Sequence, residues 1–435
     1  MNPGETMLDR IFNLAGNNTT IGTELVAGAT TFLTMSYIVL VNPQILSAAG
    51  MDKGAVFVAT CLASAGATLI MALYANYPLA LAPGMGLNAY FAFTVVKGLH
   101  YPWEVALGAV FLSGCLFLIL SVTPVRAWLI GAIPMSQKIA ISAGIGLFLG
   151  VIALEDSGVV VADPATLITL GNIKAPTTLL AAAGFVVMIA LDRRRVPGAI
   201  LIAILATAAA GILLHLSPFA GIAGPPPSLA PTFLKLDLHG ALDLGAATIV
   251  FVFLFIDLFD NTGTLVGVAY RAGLIGEDGH IPRLNRVLVA DSAATIGGAL
   301  LGTSTVTSYI ESAAGVRAGG RTGLVGVTVA VLFLLTLFFA PLAQSVPIYA
   351  TAPALFFVAC LMARGIGELD WDDVTEYAPA MVTALTMPLT FSIANGIAFG
   401  FVTYTAAKLV SGRFRDANPA LIALSILFII KYGWF

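Results

Sequence analysis

Charge is scarce in this chain: Asp, Glu, Lys and Arg together make up 10% of 435 residues, against 59% hydrophobic side chains. Soluble globular domains carry about 25% charged and about 45–50% apolar residues, so the composition excludes a large soluble domain and describes a polytopic membrane protein. Cysteine is nearly absent too. Cys61, Cys115 and Cys360 all fall within apolar stretches at no metal-ligand spacing, which leaves them as small buried hydrophobes and argues against disulfides. The histidines, His100, His215, His239 and His280, all lie away from the centres of the apolar runs. That speaks against a histidine metal site or proton relay at mid-membrane, so no metal or cofactor is expected and proton coupling falls to carboxylates. The first residues hold Glu5, Asp9 and Arg10 and no apolar core before a small-residue cleavage site, so no secretory signal peptide is expected.

What abounds is apolar run length. A span needs roughly 20 residues, and the chain has room for about 14 with short connections. We place them at residues 23–41, 56–74, 79–96, 103–122, 138–154, 177–191 and 199–216, then, after a Pro-rich loop at 224–231, at 246–270, 287–301, 304–318, 324–340, 351–362, 379–394 and 396–410. Residues 419–432 are apolar but short and read as a surface or packing helix. With both termini in the cytoplasm, all but Lys53, Lys97, Lys174 and Lys235 of the 20 Lys and Arg fall inside, as the positive-inside rule requires. The Arg193-Arg-Arg195 cluster reads as a topological anchor, and residues 271–286 as a cytoplasmic loop.

Within these runs polar groups are expensive. Asp257 and Asp260 interrupt Ile249-Val-Phe-Val-Phe-Leu-Phe-Ile-Asp-Leu-Phe-Asp-Asn-Thr-Gly-Thr264, where an ionised Asp near the bilayer centre costs roughly 2.5–3.5 kcal/mol. On a helix they are separated by about 60°, and Thr264 returns to within about 20° of Asp257, so the three share one face. Asp291 and Glu311 are the other carboxylates well inside predicted spans; Glu24 lies near a span end. Each could instead be a hydrogen-bonded packing residue, and Asp260 and Asp291 in particular could tie helices together.

The third and tenth spans are both interrupted. Leu79-Ala-Leu-Ala-Pro-Gly-Met-Gly-Leu-Asn-Ala-Tyr90 sets Pro83, Gly84 and Gly86 in mid-span, and Gly302-Thr-Ser-Thr-Val-Thr-Ser-Tyr-Ile-Glu311 sets a β-branched, hydroxyl-rich stretch at the matching place. Irregular backbone survives at membrane depth only when buried in protein or lining a cavity, and paired broken segments in two halves point to a transporter's binding site. The expected fold is therefore all-α, with two inverted seven-span repeats. In each broken span a short strand should turn into a half-helix, and the two strands should meet antiparallel with half-helix N-termini facing a polar ligand. Aligned by their turns, the broken spans place Asn88 opposite Glu311, each about one turn inside its half-helix. Asn88 offers donor and acceptor and an ionised Glu311 accepts only, which suits a planar heterocycle bearing ring N–H groups and carbonyl or imine acceptors. Phe32, Tyr90, Phe91 and Tyr309 could stack on such a ring or simply pack.

Four segments, Ala82-Pro-Gly-Met-Gly-Leu-Asn-Ala-Tyr90, Asp257-Leu-Phe-Asp-Asn-Thr-Gly-Thr264, Tyr309-Ile-Glu-Ser-Ala-Ala-Gly-Val316 with Gly319-Gly-Arg-Thr-Gly323, and Tyr349-Ala-Thr-Ala-Pro-Ala354, carry a further inference. Together they resemble the nucleobase:cation symporter-2 family, in its adenine/guanine/hypoxanthine permease (AzgA-like) branch, over nearly the whole chain. The resemblance implies a core (residues 1–122 and 221–341, spans 1–4 and 8–11) moving elevator-like against a dimerised gate (residues 123–220 and 342–435, spans 5–7 and 12–14). It implies proton-coupled uptake of purine nucleobases at the inner membrane. Carried over by position, Asn88, Asp257 and Glu311 become substrate ligands, with Tyr309, Phe32, Tyr90 and Thr264 around them and Asp260 and Asp291 helping coupling. Glu311 departs from the xanthine and uracil branches, which often have Gln or Asn there. Sulfate and other anion transporters share the overall fold, but mid-membrane carboxylates without Lys or Arg make an anion site unattractive. A membrane hydrolase using Asp257 and Asp260 as an acid pair lacks a second catalytic motif.

Overall fold

Lipid cannot satisfy backbone amides, so apolar runs must close their hydrogen bonds internally; here they do so as helices. The computed structural model describes residues 7–123, 133–164, 166–271, 283–414, 416 and 418–434. Eight of the described helical stretches are long and apolar enough to cross a membrane, and Ala199–Leu213 and Pro419–Ile430 are shorter apolar helices. Helix starts are written in the sequence. Thr20, Asp52 and Ser392 each accept a backbone N–H three residues on, and Asp373 accepts that of Thr375, offsetting the orphan donors of a first turn.

Several boundaries differ from those expected. The run at 23–41 is two helices, Ile21–Met35 and Ile38–Ser47, with Ser36 and Tyr37 between them; Pro43 in the second has no N–H to give to Val39. The run at 379–394 is displaced: its helix is Val374–Leu389, because Asp373 caps it upstream of Pro379, and the chain then turns through Phe391 at φ +47°. A hairpin of β2 (Val160–Asp163) and β3 (Leu167–Leu170) was not anticipated; its turn is held by Asp163, whose carboxylate accepts from the Thr166 backbone at 2.9 Å. Pro419–Trp434 is a packing helix, tied by the Ser425 hydroxyl to Thr405 at 2.8 Å and to the Phe401 carbonyl at 3.0 Å.

The expected strands are present and paired. β1 (Leu81–Pro83) runs antiparallel to β4 (Val306–Ser308) with Leu81 opposite Ser308 and Pro83 opposite Val306. Two further backbone bonds extend the ladder, Gly84 N to Thr305 O at 2.9 Å and Tyr309 N to Ala80 O at 3.0 Å. Segments that occupy matching places in the two halves thus meet head to tail. A large apolar core including Phe91, Phe148, Phe253, Phe333 and Phe401 takes in Ala82 of β1. A smaller one, with Met71, Tyr77, Leu265, Leu288 and Val316, includes Leu81 and Val306 of the strands themselves. The crossing is therefore anchored in apolar packing while presenting polar side chains of its own.

Candidate functional site

Why strands form at this depth follows from the residues. Val306 and Thr307 are β-branched and resist the helix, and Pro83 cannot donate, so it takes the last strand position. Gly84 is required by space: a Cβ there would lie 2.6 Å from Cγ2 of Thr307. Past the strands, one chain enters the helix Met85–Ala89 and continues as a wider π-helical stretch, Tyr90–Gly98; the other makes a turn and enters the helix Ser312–Arg317. Asn88 sits inside its half-helix as expected. Glu311 does not: it immediately precedes Ser312, because the strand runs to Ser308 and the chain needs the intervening turn before helical bonding begins.

The polar groups converge on the crossing. Asp257, 1% exposed, accepts from Asn261 Nδ2 at 2.7 Å through Oδ1, while the Thr295 hydroxyl stands 3.2 Å from Oδ2 and 3.0 Å from the Val306 carbonyl. Asn261 continues the chain, its Oδ1 accepting from the Thr307 hydroxyl at 2.6 Å and from Ser308 N at 3.0 Å. Asp291, also buried, accepts from the Ser308 hydroxyl at 2.9 Å. β4 is thus gripped from two helices by side-chain amides and carboxylates. On the other flank the fully buried Tyr37 donates to Glu311 Oε1 at 2.7 Å. Asn88 is fully buried; its Oδ1 accepts from the Ser304 hydroxyl, and its Nδ2 has no hydrogen-bond partner among the described residues. A buried donor left unpaired costs about 1–3 kcal/mol, so a native one asks for an explanation.

The remaining expected residues divide. Tyr309 donates its hydroxyl to the Pro83 carbonyl at 2.6 Å and so clamps one strand to the other. Thr264 is buried on the same helix as Asp257. Tyr90 packs edge-on against Phe253 at 4.9 Å between centroids, and Phe32 edge-on against Phe333 at 5.2 Å. The Asp260 side chain lies outside the described residues, as does the loop 272–282.

The profile of the Permease family matches residues 22–399, most of the chain. The chain belongs to this family. It is the nucleobase:cation symporter-2 family whose motifs the four segments carry. Among similar permeases, the adenine permease AdeP of Escherichia coli is 47% identical over 428 residues, covering 98% of this chain and 96% of that one. The guanine/hypoxanthine permease PbuG of Bacillus subtilis is 44% identical over 421 residues, covering 94% and 96%. The transmembrane domain of a cyanobacterium bicarbonate transporter, BicA, superposes with a TM-score of 0.63 at 16% identity, over 87% of this chain and 97% of that one; it shares the fold. The permease is a membrane transport protein and not an enzyme.

Some residues of the permease's polar frame escaped the sequence reading. Asn261 could have been found, since it lies one helical turn after Asp257 and faces the same way. Tyr37 and Thr295 gave no local signal, and Ser304 and Ser308 stood out only as members of the hydroxyl-rich stretch; the partners of Tyr37 and Ser304 are distant in the chain. Glu24, read as near a span end, is fully buried, where its carboxylate accepts from Arg321 N at 2.8 Å and from Thr322 N at 3.2 Å and hydroxyl at 2.7 Å. Lys408, counted among the cytoplasmic-side cations at the end of the last span, is 1% exposed and donates to Glu376 at 2.6 Å and to Thr375 at 2.7 Å, with Asp373 at 3.8 Å. Glu376 also accepts from Ser136 and Tyr404, and Arg413 pairs with Asp373. Satisfied by carboxylates, the Lys408 ammonium has no need to reach for water.

Proposed function

We propose that this permease imports purine nucleobases together with protons. The observation that carries the reading is the donor and acceptor set at the strand crossing: carboxylates of Asp257 and Glu311 that accept, and the buried Asn88 amide whose donor waits for a partner. A purine has N–H groups for the former and ring or exocyclic acceptors for the latter. Relatives named for adenine and for guanine or hypoxanthine, at 47% and 44% identity, support the same substrate class. In this reading Tyr309, Phe32, Tyr90 and Thr264 complete the surroundings of the base, and Asp260 and Asp291 assist the proton.

The core comprises residues 1–122 and 221–341 and moves elevator-like against a gate comprising 123–220 and 342–435, which pairs with the gate of a second copy. Gly86 supports a sliding boundary between them: a Cβ there would come within 2.6 Å of Ile145 on the helix Met135–Asp156, so the half-helix bearing Asn88 lies directly on a gate helix. The protein resides in the inner membrane with both termini in the cytoplasm, as its Lys and Arg distribution supports. A bicarbonate-type cargo is not favoured, since carboxylates and an amide line the crossing.

The test is uptake of labelled adenine, hypoxanthine and guanine by proteoliposomes with and without an inward proton gradient. Accumulation that collapses with a protonophore is expected; no accumulation of any of the three would falsify the proposal.

A further inference from the structure

We propose that Asn88 and Ser304 form a reversible donor/acceptor selector that lets one site take both 6-oxo and 6-amino purines. The inference rests on the purine reading above and goes beyond it, because it assigns a specificity role to Ser304, a residue that need not touch the substrate.

Each half of the pair comes from a different repeat. Asn88 lies in the half-helix after β1, and Ser304 in the lead-in to β4. The backbone around Ser304 is fixed. Gly302 turns the chain in the left-handed region at φ +88°, where only glycine is unstrained. The Thr303 hydroxyl receives Asn42 Nδ2 at 2.9 Å, and the Thr305 carbonyl receives Gly84 N at 2.9 Å. What stays adjustable at Ser304 is its side chain, above all the direction of its hydroxyl hydrogen.

A serine hydroxyl donates or accepts with equal ease, and a primary amide presents a donor on one side and an acceptor on the other. As the pair stands, Ser304 donates to Asn88 Oδ1 and the amide leaves Nδ2 unpaired. That face is matched to the carbonyl of a 6-oxopurine. Turning the amide by half a revolution exchanges its ends. Ser304 then accepts from Nδ2, and Oδ1 becomes the free end, matched to the amino group of a 6-aminopurine. In both states the inner end of the amide keeps one hydrogen bond. A site with a permanently fixed donor would instead reject one class strongly, since the mismatched purine would leave buried groups unpaired.

Binding and uptake of hypoxanthine, adenine and unsubstituted purine, measured on wild type, Asn88→Asp, Ser304→Ala and Ser304→Thr, test the proposal. Wild type should take both hypoxanthine and adenine. Asn88→Asp, as an acceptor, should lose hypoxanthine by about tenfold or more while holding adenine within about threefold. Ser304→Ala should weaken both by about tenfold with their ratio held, Ser304→Thr should restore them, and unsubstituted purine, lacking a 6-substituent, should be indifferent to all three changes. Equal loss of adenine and hypoxanthine in Asn88→Asp, or a wild type that takes only one of them, overturns the selector and leaves the purine reading intact. A wild type that takes no purine overturns both. Should Asn88→Asp fail to fold, as judged by thermal unfolding, the Ser304 pair decides: adenine and hypoxanthine both unweakened in Ser304→Ala, or not restored in Ser304→Thr, sinks the proposal.

Discussion

The permease holds carboxylates in two places, one buried and one half-buried, and treats them differently. At the strand crossing Asp257 is met by an amide at 2.7 Å and a hydroxyl at 3.2 Å, both neutral, whereas beside the hairpin of helices Val374–Leu389 and Ile393–Val410 Glu376 is met by the Lys408 ammonium at 2.6 Å. The Lys408 ammonium, 1% exposed, is matched there by Glu376 and, at 3.8 Å, by Asp373. One region thus holds its charge in an ion pair, and in the proposed mechanism the other is the region that changes charge.

The largest effect should come from the charged region. Lys408→Met leaves the half-buried Glu376 without its cation and should destabilise the folded protein by about 3 kcal/mol, the lower end for a broken buried pair because Glu376 is 22% exposed. Adding Glu376→Gln should recover much of that loss. Thermal unfolding in detergent checks both, and a Lys408→Met protein of unchanged stability but impaired purine affinity would erase the distinction between the regions. Next, Asp257→Asn keeps the shape and removes the charge. Loss of a hydrogen bond to a charged group is worth about 1.5–3 kcal/mol, so purine affinity should fall about 10- to 100-fold with the unfolding temperature nearly unchanged. Glu311→Gln should behave alike, with Tyr37 as its remaining neighbour.

How the sequence showed these places differs as the places do. The broken spans were visible because Pro83, Gly84 and the run Thr303-Ser-Thr-Val-Thr307 cannot make a regular helix, and Asp257 stood out because a charge in an apolar run needs a reason. Asn261 was within reach by helical spacing. Tyr37 was not: its hydroxyl meets Glu311 only through tertiary folding, and nothing near Ser36-Tyr37 in the chain announces a break. The start of the last half-helix was misplaced because strand, turn and helix share one polar stretch, Thr307-Ser-Tyr-Ile-Glu-Ser312, with no capping residue to mark the boundary. Lys408 misled for a related reason. A lysine ending an apolar run normally reaches for water, and the carboxylates that hold it belong to the preceding helix.

A smaller effect separates motion from binding. Gly86→Ala would push a methyl to 2.6 Å from Ile145, and overpacking of this kind costs about 1–3 kcal/mol. If that contact is a boundary that slides, the maximal uptake rate should fall about tenfold while purine affinity holds within about twofold. The control is Gly315→Ala, whose Cβ would crowd Thr31 at 2.1 Å on the helix Ile21–Met35, within the proposed core. There the cost should appear in unfolding temperature. A fall in affinity for Gly86→Ala, with rate preserved, would place the half-helix in a fixed wall.

The smallest expected effect is on pH dependence, and its sign distinguishes the two regions. Hydrogen bonds from the hydroxyl and backbone of Thr375, then from Arg413, hold the Asp373 carboxyl below the usual carboxylate range. A group whose folded pKa is depressed adds stability at pH values above its unfolded pKa of about 3.9 and loses it as pH falls toward the folded value. Between pH 5 and 8 Asp373 should therefore add no slope to the unfolding temperature, with a decline only in stronger acid that Asp373→Asn reduces. Purine uptake through a proton-coupled crossing should change across that same interval. An unfolding temperature that tracks uptake from pH 8 to 5 would mean that the fold itself titrates there, and the separation between a charge-holding region and a charge-changing one would fail.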